Sequence, residues 1–485
     1  MRENNDFNIM ILSFDNVRAD HLPFYGYKRN ITPNINKLIE ESIIFKNAFS
    51  TSSWTLPAFA SLFTGKVPSH HQLLIPAPNF QNSFHEYLNG PTITQYLKLL
   101  NYETFGIIPT PVLRKSIGFE KGFIEYKECW RPPLEKIKTK RYDLLFLKST
   151  IRNLFYGYDK NTYYINEKIK QFIKKQIHNK QKFFIFTNFF NAHAVWSAPR
   201  KFRAQFEIKP PKSNKKIREL LKTSTFFFEL KRRFVKTPWE YMNIFYYMTG
   251  KMNLTPFDLQ ILKSKYDAEI AYLDAIVGNL IKFLKEKGVY NNTLIIIFSD
   301  HGESFGEHKL LFHAFHLYDH LIHIPLIMKL PFKTEIHEYN GLVSLVDIFP
   351  TILALLNKKI KHKIDGISLF PFEKTNGSEY IFAELGWCRQ NIINIFRNLD
   401  PNNDYSSIIL PKQCVRTKKY KLIRYYNGKE ELFDLERDFN EKENVINKNL
   451  DEHKKLSQIL DENLTSYDMQ KEKVKIKRHI SKLNL

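Results

Sequence analysis

The sequence predicts an α/β protein: a mainly parallel central sheet with helices on both faces, plus a smaller C-terminal α+β unit carrying a short antiparallel sheet. Three observations lead there. Apolar runs of strand length alternate with amphipathic helical segments up to about residue 356. Three of those runs end in residues able to bind ligands, namely Asp15, His193 and the pair Asp300-His301. Beyond residue 371 the apolar runs shorten, and Asn427-Gly428 gives a strong hairpin signal.

Residues 8–14 read as a buried strand running directly into Asp15-Asn16. A carboxylate there is equally a ligand at a strand end or a cap for the next turn. Residues 32–41 open with Thr-Pro and read as an amphipathic helix, and Ile43 to Phe49 as a second strand. A helix is expected over 91–99 and strands over Glu103 to Ile108 and Phe183 to Phe190, whereas 127–165 shows little pattern. Residues 260–287 give the clearest helix: Tyr266, Ile270, Leu273, Ile276, Leu280 and Phe283 recur at helical spacing and Gly288 stops it. Leu294 to Phe298 and Pro325 to Met328 follow as strands, then a helix ending near Leu356. Residues 358–374 read as a connector. Short strands are expected at 380–383, 413–417, 420–426 and 431–434, with a last helix over about 451–465 and a loosely ordered Lys-rich end at 466–485. The expected division is a first domain over 1–370, interrupted by an insertion at about 200–258, and a C-terminal subdomain with a basic tail over 371–485.

The net charge of +23 favours anionic partners: phosphate or sulfate esters, acidic glycans, or an anionic membrane surface touched peripherally. No base-reading module stands out, so nucleic acid is not an expected partner. The basic stretch Arg200 to Lys236 reads as a solvated face or as a platform for substrate or lipid headgroups. Cys129, Cys388 and Cys414 lie too far apart for a zinc pattern and form no disulfide framework. No apolar run reaches the ~18 residues of a membrane span, and no secretory leader is visible, so a cytoplasmic location is expected.

The stretch from Ser53 to Gly65 is the one the chemistry turns on. It reads as a helix start, with Pro57 in the first turn, an apolar run, and Gly65 as a stop. A side chain at such a start faces unpaired amide N–H groups, which favour an anionic ester. Thr55 is therefore the candidate nucleophile, the structural alternative being a buried helix capped by Ser53 or Thr55. A hydroxyl needs activation, and a metal ion supplies it. Asp15, Asn16, Asp300 and His301 are the candidate ligands of one divalent cation; Ca²⁺, Mn²⁺, Zn²⁺ and Mg²⁺ all suit such a mixed set. His193, His308 and His313 are candidates to bind substrate oxygens, and His193 and His313 to act in catalysis on the leaving group.

These blocks resemble the sulfatase family of the alkaline phosphatase superfamily. Asp15 to Leu22 with Tyr25-Gly26-Tyr27 and Thr32-Pro33-Asn34-Ile35 looks like that family's opening. Ser299-Asp300-His301-Gly302-Glu303 with Gly306-Glu307-His308, His313 and Tyr318 is similar to its second metal block. The resemblance implies an α/β domain carrying the site, a smaller C-terminal subdomain, and a role for Arg18 in binding substrate. Three positions depart from the pattern. Family members with sulfatase chemistry carry Cys or Ser, oxidised to formylglycine, where this chain has Thr55; threonine oxidation would give a ketone instead. Phe59 stands at the family's Arg position and Asn16 at an acidic one. Thr at the nucleophile position resembles branches that transfer or hydrolyse phosphoryl groups through a phosphothreonine. The expectation is a metal-dependent sulfatase-like hydrolase or phosphotransferase acting on a phosphate or sulfate ester without formylglycine. The alternative is a non-catalytic protein of the same fold that binds an anionic glycan or lipid headgroup.

Overall fold

The computed structural model describes residues 6–74, 90–130, 159–194, 196–208 and 242–464, with 144, 145, 148, 149, 152 and 153. Eight strands form the main sheet: β1 (Asn8–Phe14), β2 (Ile43–Phe49), β3 (Glu103–Ile108), β4 (Glu125–Glu128), β5 (Phe183–Phe189), β6 (Thr293–Ser299), β9 (Leu326–Lys329) and β10 (Glu338–Ser344). Their order is β10-β2-β9-β6-β1-β5-β3-β4. Every neighbouring pair is parallel except the two that involve β9. A short hairpin, β7 (Ser304–Phe305) with β8 (Leu311–Phe312), follows β6.

The alternation of β1 explains the two-sided core. Met10, Leu12 and Phe14 face a cluster with Ile165, Ile169, Tyr266, Ile270 and Leu273, from the helices Thr162–Asn179 and Pro256–Glu286. Ile9 and Ile11 face the opposite cluster, with Leu56, Phe59, Phe63, Ile348 and Ile352 from the helices Thr55–Thr64 and Ile348–Leu355. A strand buried on both faces needs apolar residues at nearly every position, as β1 has. The C-terminal sheet is antiparallel, in the order β11 (Ile381–Leu385), β12 (Lys412–Arg416), β13 (Tyr420–Tyr425), β14 (Glu430–Asp434). Val415, Leu422 and Leu432 pack there against Leu456, Leu460 and Leu464 of the helix Leu450–Leu464.

Several elements depart from the sequence expectation. The helix Thr162–Asn179 begins inside the stretch without visible pattern, and β4 forms a sheet edge where that stretch starts. The helix Gln390–Leu399 arises where no element was expected; its buried Ile393 and Phe396 explain it, Phe396 packing 5.3 Å from Phe245. Within the expected insertion, Arg200–Phe206 and Met242–Met248 are helical. The rest of the basic stretch, residues 209–241, and the C-terminal 465–485 lie outside the described residues, as does most of 131–158. No described helix is long and apolar enough to cross a membrane.

Candidate metal and ester site

Because β1 lies between β5 and β6 with all three parallel, their carboxyl ends meet at one edge. That edge is where open α/β sheets hold ligands. β1 delivers Asp15 and Asn16, β5 delivers Asn188, and β6 delivers Asp300 and His301; all five are fully buried. Ser299 ties the ends together. Its Oγ accepts the Val17 N–H at 2.8 Å and lies 2.7 Å from the carbonyl oxygens of Phe14 and His301.

One ligand atom each from Asp15, Asp300 and His301 can be chosen so that all lie within 4.8 Å of one another. The hydrogen bonds leave the right atoms over. Asp15 Oδ2 accepts from Asn188 Nδ2 at 2.7 Å, while Oδ1 has no partner. Asp300 Oδ1 accepts the amides of Asn16 (3.1 Å) and His301 (2.9 Å), while Oδ2 has none. Asn16 Nδ2 donates to Glu303 Oε2 at 2.8 Å, and Asn16 Oδ1 is unpartnered. His301 Nδ1 lies 3.0 Å from the Gly302 carbonyl, which places the ring proton there and leaves the lone pair on Nε2, where the Thr55 hydroxyl is its neighbour in this structure. Two unsatisfied buried carboxylate oxygens and one imidazole nitrogen converge, a donor set that suits a hard or borderline divalent cation.

The electrostatics agree. Burial, then the neighbouring Asp300, pushes Asp15 well above the usual carboxylate range. Burial raises Asp300 to about 7, against the opposing pull of backbone N–H groups. Burial and then His313 lower His301 to about 4. Two carboxylates this deep stay ionised at neutral pH only beside a concentrated positive charge.

Thr55 is the first residue of its helix. The residue before it, Trp54, makes no capping bond through its side chain, and Ser53 Oγ is also unpartnered, so the Ser53 cap of the structural alternative is absent. The Thr55 hydroxyl instead lies 3.2 Å from His301 Nε2. His313 sits with its ring 4.6 Å from that of His301, and His193 is edge-on to His313 at 4.9 Å. His193 stacks on Phe190 at 4.2 Å and bonds the Ala194 carbonyl through Nδ1. The structure thus gathers Asp15, Asn16, Thr55, His193, Asp300, His301 and His313.

Two candidates stand elsewhere. His308 has left-handed backbone (φ 52°), stacks on Tyr318 at 3.7 Å and meets the Asn440 carbonyl at 3.0 Å. The turn between β7 and β8 carries it away from His313. Arg18 is enclosed: its guanidinium bonds Asp20, the Glu303 carbonyl (3.0 Å) and Glu307 (2.8 Å), so it braces the site wall and presents nothing to a substrate. Sequence reasoning missed Asn188, Glu303 and Lys160. Asn188 was visible as a polar residue inside the apolar run of β5. Lys160, whose Nζ bonds the carbonyls of Asn191 and His193, gave no signal in its unpatterned surroundings.

This fold and this donor set agree with the comparisons to known proteins. Residues 8–358 match the Sulfatase family model, and residues 306–470 the C-terminal model of N-sulphoglucosamine sulphohydrolase. The first match alone covers well over half of the chain, which belongs to the sulfatase family. Arylsulfatase K of Canis lupus familiaris is 30% identical over 208 residues, 41% of this chain and 36% of that protein. The match thus spans little more than a third of that relative's length. N-acetylglucosamine-6-O-sulfatase of Bacteroides thetaiotaomicron is 22% identical over 507 residues, 95% of this chain and 86% of that one. Among solved structures, a protein in complex with its substrate D-glucosamine-2-N,6-O-disulfate superposes with a TM-score of 0.69 at 19% identity, covering 95% of this chain and 98% of the other. The phosphonate monoester hydrolase of Agrobacterium radiobacter does so with a TM-score of 0.69 at 19% identity, covering 96% of each chain.

Proposed function

We propose that this chain is a metal-dependent hydrolase or transferase of a phosphate or sulfate ester, with Thr55 as the nucleophile and no formylglycine. One observation carries the reading: the Thr55 hydroxyl lies 3.2 Å from a ring nitrogen of His301, beside the unpartnered oxygens of Asp15 and Asp300. Asp15, Asp300 and His301 would hold the cation, with Asn16 Oδ1 beside them. Bound there, the cation would supply the positive charge that lowers the hydroxyl's pKa and neutralises an ester oxygen.

The chain's own groups account for the rest. The helix start at Thr55 turns amide N–H groups and the positive end of the dipole toward an anionic ester. Thr55 Oγ gives up its proton to solvent and forms the new bond to phosphorus or sulfur as the bond to the leaving oxygen breaks. His193 and His313 lie on the substrate side. His313 Nε2–H donates its proton to the leaving oxygen as that bond breaks. Water or a second alcohol then resolves the Thr55 ester. Phosphoryl chemistry is favoured over sulfuryl, because Thr55 cannot become formylglycine and phosphoryl transfer asks mainly for positioning and charge neutralisation. The substrate class is an anionic ester on a glycan, lipid headgroup or small molecule, in keeping with the sulfated sugars named for two of the similar proteins.

A panel of aryl phosphate, phosphodiester, phosphonate and sulfate esters tests the reading. Thr55→Ala should lower turnover on the order of 10³-fold or more while metal content is unchanged. Full activity in that variant refutes the nucleophile. Purified protein that neither contains nor takes up a divalent ion, and turns over no ester, refutes the enzyme and leaves a binding protein.

A further inference from the structure

The buried carboxylate of Glu303 has no part in the reaction as written, yet it lies against the reacting groups. Its Oε2 accepts from Asn16 Nδ2 at 2.8 Å, and its Oε1 lies 3.1 Å from His313 Nδ1. The Glu303 side chain has no exposure, whereas His313 keeps 11%. Asn16 Nδ2 can only donate and lies 2.7 Å from His313 Nδ1, so Nδ1 accepts, the hydrogen between Oε1 and Nδ1 belongs to Glu303, and the ring's own proton sits on Nε2. Nε2 is then the only ring nitrogen of His313 left for a ligand. Asn16 Nδ2, 2.7 Å from the same Nδ1, closes the third side.

The backbone around His313 is forced. Twelve described non-glycine residues have positive φ, and four of them are His308, Lys309, Phe312 and Ala314. His313 thus sits between two left-handed neighbours, Phe312 and Ala314, in a conformation that a bulky residue rarely adopts. Three anchors hold it. The β7–β8 ladder pairs Ser304 with Phe312, the Phe312 ring stacks on Trp196 at 6.0 Å, and the Ala314 N–H donates to the Ser53 carbonyl at 3.0 Å. That last bond ties the loop to the residues preceding Thr55. Unfavourable backbone of this kind persists where its surroundings over-determine it.

We infer that Glu303 is a positioning residue that fixes the His313 ring, with the strained 306–314 loop, so that Nε2 faces the ester's leaving oxygen. This rests on the reaction proposed above. An imidazole whose Nδ1 accepts from a buried carboxyl group and from Asn16 Nδ2 keeps its proton on Nε2 and a single orientation. The three atoms proposed to hold the cation, Asp15 Oδ1, Asp300 Oδ2 and His301 Nε2, make no hydrogen bond to Glu303; Asn16 is the one side chain shared, its Nδ2 on Glu303 and His313 and its Oδ1 unpartnered. Removing the Glu303 carboxylate should therefore loosen the ring and spare the cation.

The test uses the full chain with Glu303→Ala, Glu303→Gln, His313→Ala and the Glu303→Ala/His313→Ala double variant. Two phosphate esters serve as substrates, an aryl ester with a good leaving group and an alkyl ester with a poor one. His313→Ala and Glu303→Ala should each lower kcat at least about tenfold more on the alkyl ester than on the aryl ester, with KM and bound metal little changed. The double variant should be no slower than His313→Ala alone, and Glu303→Gln, whose amide keeps a donor toward Nδ1, should recover part of the loss. Equal losses on both esters, or lost metal in Glu303→Ala, overturn the inference. ¹⁵N spectra of histidine-labelled protein form the second arm, the His313 signals being identified by their loss in His313→Ala. Those signals should shift in Glu303→Ala and less in Glu303→Gln; unchanged signals in both overturn the inference. A wild-type protein that turns over neither ester refutes the reaction, while the spectra still decide whether Glu303 holds the ring.

Discussion

Lys421→Met tests how the C-terminal sheet is fastened to the domain carrying the site. Lys421 Nζ lies 2.7 Å from Asp319 Oδ1 and 2.7 Å from Glu441 Oε1, and Arg416 Nε lies 3.0 Å from Asp319 Oδ2. The Asp319 N–H donates to Glu441 Oε2 at 2.6 Å. All four side chains are at most 7% exposed. Asp319 follows His313 by six residues, whereas Arg416 and Lys421 belong to β12 and β13, so the cluster joins the two units. Methionine keeps the bulk of lysine and removes its charge, leaving two buried carboxylates to one guanidinium. Breaking a buried pair in this way costs about 3–5 kcal/mol. At ~2.1 cal/mol/K per residue, the melting entropy of a chain this long is about 1 kcal/mol/K, so Tm should fall by about 3–5 °C. The pH dependence carries a sign. Burial pushes Asp319 up, but Arg416 and Lys421 outweigh it and hold the carboxyl below its ordinary range. Its stabilisation is present above the unfolded pKa and lost as pH falls through the lower, folded value. Glu441 is the opposite: burial, with Asp319 adding to it, raises its pKa against the pull of Lys421. Its contribution is fullest below the unfolded pKa and is lost as pH rises toward the folded value. Without Lys421 the Glu441 carboxylate becomes harder still to ionise. The Tm deficit of Lys421→Met, read by scanning calorimetry, should therefore be larger at pH 8 than at pH 5. A deficit under about 1 °C at both pH values, or one that grows on acidification, would refute the reasoning.

Asp300→Asn should abolish divalent-ion binding, measured by elemental analysis after dialysis, because the unpartnered Oδ2 becomes an uncharged amide atom. A chelator should lower the Tm of wild type but not of this variant, since an ion at 100 times its Kd adds about 2.7 kcal/mol to the folded state; equal shifts in both would contradict it. Gly302→Ala should cost about 1–3 kcal/mol and weaken metal binding with it, because the added Cβ would lie 2.1 Å from the His320 carbonyl oxygen, next to His301. An unchanged melting curve for that variant would show that the backbone there yields easily.

What the sequence made legible follows from what its spacing can encode. β1, β5 and β6 announced themselves as apolar runs, and a residue at the end of a parallel strand inherits its place from the sheet. Asp15, Asp300 and His301 could therefore be brought together without any knowledge of side chains. Thr55 was legible for a related reason: the first residue of a buried helix has a defined direction. A loop offers no such rule. His308 lies in the β7–β8 turn and His313 directly after β8, and the left-handed residues between His308 and Ala314 send one to a stack on Tyr318 and the other to His301. Arg18 misled in another way. Its place beside Asp15 and Asn16 was clear, but the carboxylates of Asp20 and Glu307 that occupy its guanidinium come from opposite ends of the domain sequence. Lys160 and Asn188 complete the pattern. Both serve the site by bonding to something else, the carbonyls of Asn191 and His193 in one case and Asp15 in the other. Ligands can be read from chemistry at strand ends, whereas the groups that orient them are defined by contacts between separate elements, 31 positions apart for Lys160 and Asn191 and 173 for Asn188 and Asp15. That is the reason Glu303, 287 positions from the Asn16 it accepts from, becomes visible as a holder of His313 only in three dimensions.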